Sequence, residues 1–297
     1  MNTLLLAEVQ KALASRKPVV ALESTVITHG LPRPENARVG RELEQVARDH
    51  GAVPATIAFM DGNSCIGLDD SALDRLAAME NAVKCSLRDI PVVMAKKLCG
   101  GVTVAATMHL AHKAGIQVFA TGGVGGVHRG QPFDISADIS ALGHIPITVV
   151  CAGAKSILDV PLTLEALETR GVTVIGYQTD EFPIFYSRES GLPVDVRCDD
   201  PDEVAAIIKA RDTAGLPSAI LVVNPVPAAD AMPAVEAEFA IKQALSEAES
   251  AGVSGKNVTP FLLAKVSELT GERSKSANLA LLRNNVRLGA EIAKALL

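Results

Sequence analysis

The sequence predicts an α/β fold: three α/β/α layers around a central, largely parallel or mixed sheet, with a helical C-terminal region. Short apolar segments rich in β-branched residues alternate with helical patterns, and the chain after Pro233 shows helical patterns alone. Hydrophobic residues make up 48% of the 297 residues, enough for one large core. We therefore expect residues 1–297 to form a single domain.

The predicted strands are apolar on both faces, as in a sheet that is covered on both sides. They span residues 18–22, 53–59, 117–120, 145–151, 172–175 and 219–223. Apolar residues at helical spacing predict helices over residues 34–50, 71–81, 103–114, 162–170, 201–213, 235–251, 260–269 and 276–297. Thr259 directly before Pro260 is typical of a helix start.

Charge and cysteine content exclude several functional classes. The formal net charge is −6 and no block of basic residues occurs, which argues against nucleic acid or an anionic membrane as the main partner. The five cysteines are scattered and lack CxxC spacing, which argues against a zinc site or a disulfide framework and favours the reducing cytoplasm. We expect neither a signal peptide nor a membrane-spanning segment, since no apolar run is long enough.

Polar residues follow four of the predicted strands at the point where each strand ends. Ligands of open α/β sheets bind beyond the carboxyl ends of the strands, so these residues predict one shared site. They are Glu23-Ser24-Thr25, Thr121-Gly122-Gly123, Gly153-Ala154-Lys155-Ser156 and Asn224-Pro225.

Lys155 and Glu23 are the candidate catalytic residues at these strand ends. A lysine that loses its proton on burial is a nucleophile that forms a Schiff base with a sugar carbonyl. Position alone leaves an equal alternative, in which Lys155 reaches solvent or holds a phosphate as a fixed charge. A buried Glu23 would act as a general acid or base, and its alternative is to cap the following turn or pair with an arginine.

A glycine-rich stretch at residues 121–130 contains His128 and Arg129. It lacks the spacing of a dinucleotide fingerprint and the Gly-Lys-Ser/Thr end of a Walker loop. Its backbone N–H groups and its two basic residues favour a ligand-binding loop over a tight structural loop. Asp134 and Asp138 follow, four residues apart, and would share a face if this segment is helical. One or both could hold Mg²⁺ or Mn²⁺, and the alternative is capping of a helix N-terminus.

Lysines and glycines before the predicted helix at residues 103–114 are the remaining candidates. We interpret Lys84 as functional and Lys96-Lys97 as solvated surface. Gly100-Gly101-Val102-Thr103 leads into the helix, and a helix N-terminus preceded by glycines suits an anionic ligand.

Taken together, these segments resemble the pseudouridine-5′-phosphate glycosidase family, also called the indigoidine-synthase-A-like family. The resemblance covers nearly the whole chain, and its motifs are long and specific. The matching stretches are residues 19–25, 51–58, 119–130, 133–138, 149–159, 175–179 and 259–264.

The resemblance implies that the enzyme reversibly cleaves the C–C glycosidic bond of pseudouridine 5′-phosphate to give uracil and ribose 5-phosphate. It further implies a homotrimer and a divalent cation, Mn²⁺, as cofactor. It assigns the nucleophile that forms a covalent sugar adduct to Lys155, the proton donor to Glu23 and the metal ligand to Asp134. The implied substrate contacts are Lys84, the backbone near Val104, Ser136, Ala137, Asp138 and His128.

The sequence departs from the family pattern in two places. Val102 stands where many members carry a threonine, which puts a side-chain contact there in doubt, and the loop from His128 to Asp134 looks shorter than in some members. Two other functions remain as alternatives, namely a Schiff-base aldolase or isomerase acting on another phosphosugar and a non-catalytic phosphosugar-binding protein. The second would not need both Lys155 and Glu23.

Overall fold

A computed structural model describes residues 3–253 and 258–297, apart from the side chains of Thr259 and Pro260. The first strands along the chain are β1 Thr3–Leu5, β2 Val19–Leu22, β3 Val53–Met60, β4 Asn63–Ile66, β5 Val83–Cys85, β6 Gly100–Val102 and β7 Val118–Ala120. The later strands are β8 Val127–His128, β9 Gln131–Ile135, β10 Thr148–Cys151, β11 Leu158–Asp159, β12 Thr173–Tyr177, β13 Val196–Cys198 and β14 Ile220–Val223.

The helices include a long C-terminal set, as the sequence predicts. They are α1 Ala7–Ala14, α2 Glu35–Asp49, α3 Asp70–Ala78, α4 Ile90–Ala95, α5 Val104–Lys113, α6 Ala137–His144, α7 Val160–Glu168, α8 Pro201–Ala214, α9 Ala234–Ser250, α10 Val258–Leu269 and α11 Arg273–Ala295. A π-helix at Val26–Gly30 and a 3₁₀ turn at Leu87–Asp89 complete the described helical segments.

Eleven strands form the main sheet, and seven of them run parallel in the spatial order β3-β2-β7-β10-β14-β12-β13. Antiparallel pairing begins at β3, which pairs with β4 and β6. A separate three-stranded sheet has the order β11-β8-β9. The three-layer α/β/α prediction is confirmed, and the sheet is mixed.

The central strands lie in the sheet because their residues are apolar on both faces. All four residues of β2, β10 and β14 are buried, so these strands need a helical layer on each side. Helix α11 packs across β2, β7 and β10, with α2 and α8 beside it, while α5 packs against β2, β3 and β7 and contacts α6. In this arrangement the carboxyl ends of β2, β7, β10 and β14 lie side by side at one edge of the sheet.

All six predicted strands and all eight predicted helices are present, with shifts of up to three residues at their ends. Helix α10 already includes Val258, whereas the sequence predicted a start at Pro260, and the proposed capping side chain of Thr259 lies outside the described residues. In the part of the chain that the structure describes, no helix is long and apolar enough to cross a membrane.

Candidate active site

The four polar strand ends meet at one edge of the sheet. Strands β2, β7, β10 and β14 are direct neighbours and all parallel, so their carboxyl ends point the same way. A cleft opens at this edge. It is lined by Glu23, Thr25, Val26, His29, Gly30, Lys84, Gly122, Gly123, Lys155, Phe185, Leu263, Asn278 and Leu282.

Glu23 follows β2 and is held by the neighbouring strand end. The hydroxyl of Thr121 donates a hydrogen bond of 2.5 Å to its Oε1. Burial raises the pKa of Glu23, while the positive charge of Lys155 and the hydrogen bond from Thr121 act in the opposite direction. The charge of Asp138 raises this pKa further and that of Lys84 lowers it. A carboxyl with a raised pKa retains its proton more readily and is suited to proton donation.

Ser24 serves the fold rather than the cleft. Its buried hydroxyl donates to the Ile57 carbonyl oxygen at 2.6 Å and accepts from the Val102 N–H at 3.0 Å. Val102 is itself fully buried. The hydroxyl that this position lacks would therefore sit in the core.

Lys155 lines the same cleft at the end of a tightly constrained backbone segment. Its N–H donates to the Val124 carbonyl at 3.0 Å, and Ala154 bridges Val124 in parallel pairing. Gly153 has φ +85°, and a Cβ there would lie 2.1 Å from the Pro183 carbonyl oxygen. Only glycine fits this position without a backbone shift, so the segment that carries the lysine is fixed by sterics.

Arg129 fixes the chain that follows the lysine. Its guanidinium donates to the carbonyl oxygens of Ser156 at 3.1 Å and Leu158 at 3.0 Å, and it pairs with Glu238 at 2.7 Å. The expectation that Arg129 favours a ligand is wrong on this geometry, because its guanidinium is engaged with the protein itself.

The glycine-rich stretch divides into two parts with different tasks. Gly122 and Gly123 line the cleft. The following N–H groups are used internally, since Val124 donates to Gly153, Gly125 to Asp138 and Val127 to Thr163. Only the first part of the stretch is positioned to contact a ligand in this cleft.

Asp134 and Asp138 do not share a helical face, because the segment between them is not one continuous helix. Asp134 lies on the exposed strand β9, whereas Asp138 is buried in the first turn of α6. The break falls at Ser136, whose hydroxyl caps α6 by accepting from the Asp138 N–H at 3.2 Å. A capping serine ends the strand and starts the helix between the two carboxylates.

Both oxygens of Asp138 bind backbone N–H groups. Oδ1 accepts from Ala105 at 2.9 Å and Oδ2 from Gly125 at 2.8 Å. The carboxylate therefore joins the N-terminus of α5, which begins at Val104, to the glycine-rich stretch. It supplies a negative charge at the helix end predicted to receive an anionic ligand. Ala137 is exposed beside it, and Ser136 is partly exposed.

His128 lies on β8, outside the residues that line the cleft. Its Nδ1 is 4.0 Å from an Oδ2 of Asp134, whose side chain is 63% exposed. Among the described residues, no three His, Cys, Asp or Glu side chains come together as a metal site. The carboxylate of Asp134 could hold a hard cation that keeps most of its water ligands, the coordination that Mg²⁺ commonly retains.

Several residues of the cleft were not predicted from the sequence. His29 belongs to the π-helix, where Thr28 Oγ1 lies 2.7 Å from its Nδ1, and π-helices leave little trace in sequence patterns. Asn278 and Leu282 line the cleft from the inward face of α11. Asn285 lies on the same face outside the cleft lining, and a polar residue at this buried helical position was a usable signal, since buried polar groups need specific partners.

Comparison with known proteins gives consistent matches over the whole chain. The family model described as "Indigoidine synthase A like protein" matches residues 8–295. A pseudouridine-5′-phosphate glycosidase from Symbiobacterium thermophilum is 54% identical over 97% of this chain and 96% of its own length. One from Methylobacterium nodulans is 52% identical, over 97% of this chain and 86% of its own.

Two crystal structures have the same fold. An indigoidine synthase A-like protein from Thermotoga maritima superimposes with a TM-score of 0.91 at 38% identity, covering 100% of this chain and 97% of its own. The prealnumycin C-glycosynthase AlnA, solved in complex with ribulose 5-phosphate, gives a TM-score of 0.92 at 38% identity with the same coverage. On the family match and these identities, the chain belongs to the indigoidine synthase A-like family.

Proposed function

We propose that this protein cleaves the C–C glycosidic bond of pseudouridine 5′-phosphate, reversibly giving uracil and ribose 5-phosphate. The observation that carries the proposal is the pairing of Lys155 with Glu23, a carboxyl of raised pKa, in one cleft. The relatives named as pseudouridine-5′-phosphate glycosidases, at 54% and 52% identity, support the same substrate. The ribulose 5-phosphate bound to the C-glycosynthase supports a phosphosugar ligand.

A C–C glycosidic bond calls for a different mechanism from an ordinary glycoside. Two carboxylates suffice when the leaving group is an oxygen that one of them protonates. A carbon leaving group needs electrons pushed toward the sugar carbon as the bond breaks. An amine bonded to C1′ supplies them, because its lone pair forms a C=N double bond as the C–C bond opens.

The proposed sequence balances with one water molecule. The neutral amine of Lys155 attacks C1′, O4′ leaves and takes the proton that nitrogen loses, and the ribose opens. Glu23 then protonates C5 of the base. The C1′–C5 bond breaks, its electrons restore the C5=C6 double bond, and nitrogen forms a protonated imine. Water adds to the imine and one of its protons returns to Glu23. The other moves to nitrogen as the C–N bond breaks, which releases ribose 5-phosphate and regenerates the amine.

The remaining contacts are assigned by resemblance and stay predictions. Lys84 lines the cleft and carries a charge suited to phosphate. We assign substrate contacts to the backbone at Val104 and to Ser136, Ala137 and Asp138, the last with both oxygens already engaged. We also assign a substrate contact to His128, although it is not among the residues that line the cleft.

We also propose a bound Mn²⁺ with Asp134 as its protein ligand. The exposure of this carboxylate supports a cation that keeps most of its waters. When bound, the cation would supply a fixed positive charge at β9. No step above depends on it.

A homotrimer is our proposal for the assembly. Phe133 on β9 is 96% exposed, and Val235 and Phe239 on α9 are 84% and 71% exposed. Arg129, two residues before β9, pairs with Glu238 on α9. Exposed aromatic side chains of this size support a subunit contact.

We propose a cytoplasmic location. All five cysteines are free, which supports a reducing compartment.

The test is uracil release from pseudouridine 5′-phosphate with and without Mn²⁺. We expect Lys155→Ala to abolish release and to leave the melting temperature unchanged. Lys155→Arg keeps the charge but cannot act as a neutral amine, so it separates a nucleophile from a phosphate anchor. The matched control is Lys96→Ala, which removes an exposed lysine.

Borohydride reduction with ribose 5-phosphate should trap a sugar on Lys155 and on no other lysine. Retained activity in Lys155→Arg would favour the phosphate-anchor role. An absence of uracil release from the wild-type protein, together with a trapped adduct from another sugar phosphate, would favour the aldolase or isomerase alternative.

A further inference from the structure

A pair of buried amides lies beneath the cleft, where α11 crosses the strand ends. Asn285 is 0% exposed, and its Nδ2 donates to the carbonyl oxygens of Thr121 at 2.8 Å and Gly122 at 3.4 Å. Its Oδ1 accepts from Asn224 Nδ2 at 3.1 Å. Asn224 is 4% exposed, and its N–H donates to the Cys151 carbonyl at 2.8 Å.

The chemistry of the neighbours fixes the orientation of the amide. Carbonyl oxygens only accept hydrogen bonds, so the end of Asn285 that faces Thr121 and Gly122 must be its NH₂ group. The oxygen end must then meet a donor, and the NH₂ group of Asn224 is that donor. Asn285 thus connects the ends of β7 and β14, and through Asn224 it reaches the end of β10.

Helix α11 comes close enough to make these bonds because of Gly289. That residue is four positions after Asn285, on the same helical face. A Cβ at 289 would lie 3.2 Å from the Cβ of Ala120, the last residue of β7. The close approach of helix and strand places the amide against the strand end.

We propose that Asn285 is a positioning residue of the active site, which acts through Thr121 to hold Glu23 in its reactive position. Thr121 is the shared residue, because its carbonyl accepts from Asn285 while its hydroxyl donates to Glu23. Asn285 touches neither Glu23 nor the cleft. The inference rests on the proposed function, since it assigns Glu23 as the proton donor.

This role predicts a specific change in the pH dependence of kcat. A proton donor works below its pKa, so activity falls on the alkaline side as Glu23 ionises. The Thr121 hydrogen bond lowers the pKa of Glu23. Its loss should therefore move the alkaline limb, the fall of kcat on the alkaline side of the pH profile, to higher pH. The other charged groups around Glu23 are Lys155, Asp138 and Lys84, and His29 lines the same cleft.

The experiment measures kcat and KM against pH for Asn285→Ala, Thr121→Val and the double variant. We expect Asn285→Ala to lower kcat roughly tenfold, about 1.4 kcal/mol in activation free energy, with little change in KM. Its alkaline limb should move in the same direction as that of Thr121→Val. In the double variant the second substitution should add no further movement of the limb, because both act on one hydrogen bond.

Asn284→Ala is the matched control on the same helix. Its amide bonds the Pro225 carbonyl at 3.2 Å, away from Thr121, so kcat and the limb should match wild type. If Asn285→Ala does not fold, Asn224→Ala removes the donor to Asn285 Oδ1 and should shift the limb less, in the same direction.

A purely structural amide would lower the melting temperature and leave the limb at its wild-type pH. That outcome, or a limb shift in the double variant equal to the sum of the single shifts, overturns the inference and leaves the proposed function intact. A wild-type protein that releases no uracil overturns the proposed function and the inference with it.

Discussion

Replacement of Arg129 by methionine should destabilise the protein and slow formation of the Lys155 adduct. The guanidinium makes two bonds to the carbonyl oxygens of Ser156 and Leu158, at 3.1 and 3.0 Å, and one ion pair with Glu238. Methionine keeps much of the side-chain volume and removes all three. The perturbation therefore isolates the polar contacts that hold the segment after the lysine.

The magnitude follows from the three contacts. A hydrogen bond from a charged donor contributes about 1.5 kcal/mol or more, so the two bonds to carbonyl oxygens are worth about 3 kcal/mol. The ion pair adds under about 1 kcal/mol, because the Glu238 side chain is 38% exposed and the Arg129 side chain 25% exposed. Ordering the long arginine side chain offsets about 1–2 kcal/mol. We expect a net loss of about 1–3 kcal/mol in the free energy of unfolding.

Two measurements check this prediction. Urea unfolding gives the change in the free energy of unfolding, and the time course of borohydride trapping with ribose 5-phosphate gives the rate of adduct formation. Glu238→Gln is the control, because it removes the ion pair and keeps both bonds to carbonyl oxygens. If the free energies of unfolding of Arg129→Met and Glu238→Gln differ by less than about 0.5 kcal/mol, the contacts to the carbonyl oxygens do not dominate and the reasoning is refuted.

Three further substitutions test the acid, the metal and the assembly. Burial raises the pKa of Glu23, so its folding contribution is full at acidic pH and is lost as pH rises through its folded pKa. Glu23→Gln should therefore melt like wild type at acidic pH and at increasingly higher temperature than wild type toward neutral pH; a constant difference would contradict this. Asp134→Asn should raise the Mn²⁺ concentration for half-maximal uracil release roughly tenfold, and an unchanged Mn²⁺ curve would exclude Asp134 as the ligand. Phe133→Asp should shift the sedimentation mass from trimer to smaller species, because a charge would be buried in the contact, and a trimeric variant would place the interface elsewhere.

The central strands could be predicted because their signal is local. Residues of β2 and β14 are apolar at every position, and β10 is apolar apart from Thr148, so burial on both faces is visible in the segment itself. The short strand β6 could not be predicted, since Gly100 and Gly101 have low strand propensity and are held by pairing with β3 and β5. There the tertiary contacts outweigh the local preference.

The same distinction holds in the active site. The positions of Lys155 and Glu23 in the cleft were predictable because Glu23 directly follows β2 and Lys155 follows β10 after three small residues, and polar residues just beyond apolar strands mark this edge of the sheet. The spacing of Asp134 and Asp138 was misleading, since a serine cap separates a strand from a helix between them. The engagement of Arg129 depends on carbonyl oxygens 27 and 29 residues away, which no local pattern reveals.

The proposed reactive groups, Lys155 and Glu23, follow local features of the sequence, whereas the contacts that hold them are long-range. Glu23 is held by Thr121, 98 residues away, and Thr121 by Asn285, a further 164 residues away. Such contacts exist only after the sheet and α11 have assembled, so the geometry of the acid depends on the packing of the last helix. Substitution of an inward-facing residue of α11 that does not line the cleft, such as Asn285, should therefore reduce kcat without contact to substrate. Substitutions on its exposed face should leave kcat unchanged, because the exposed face does not contact the strand ends.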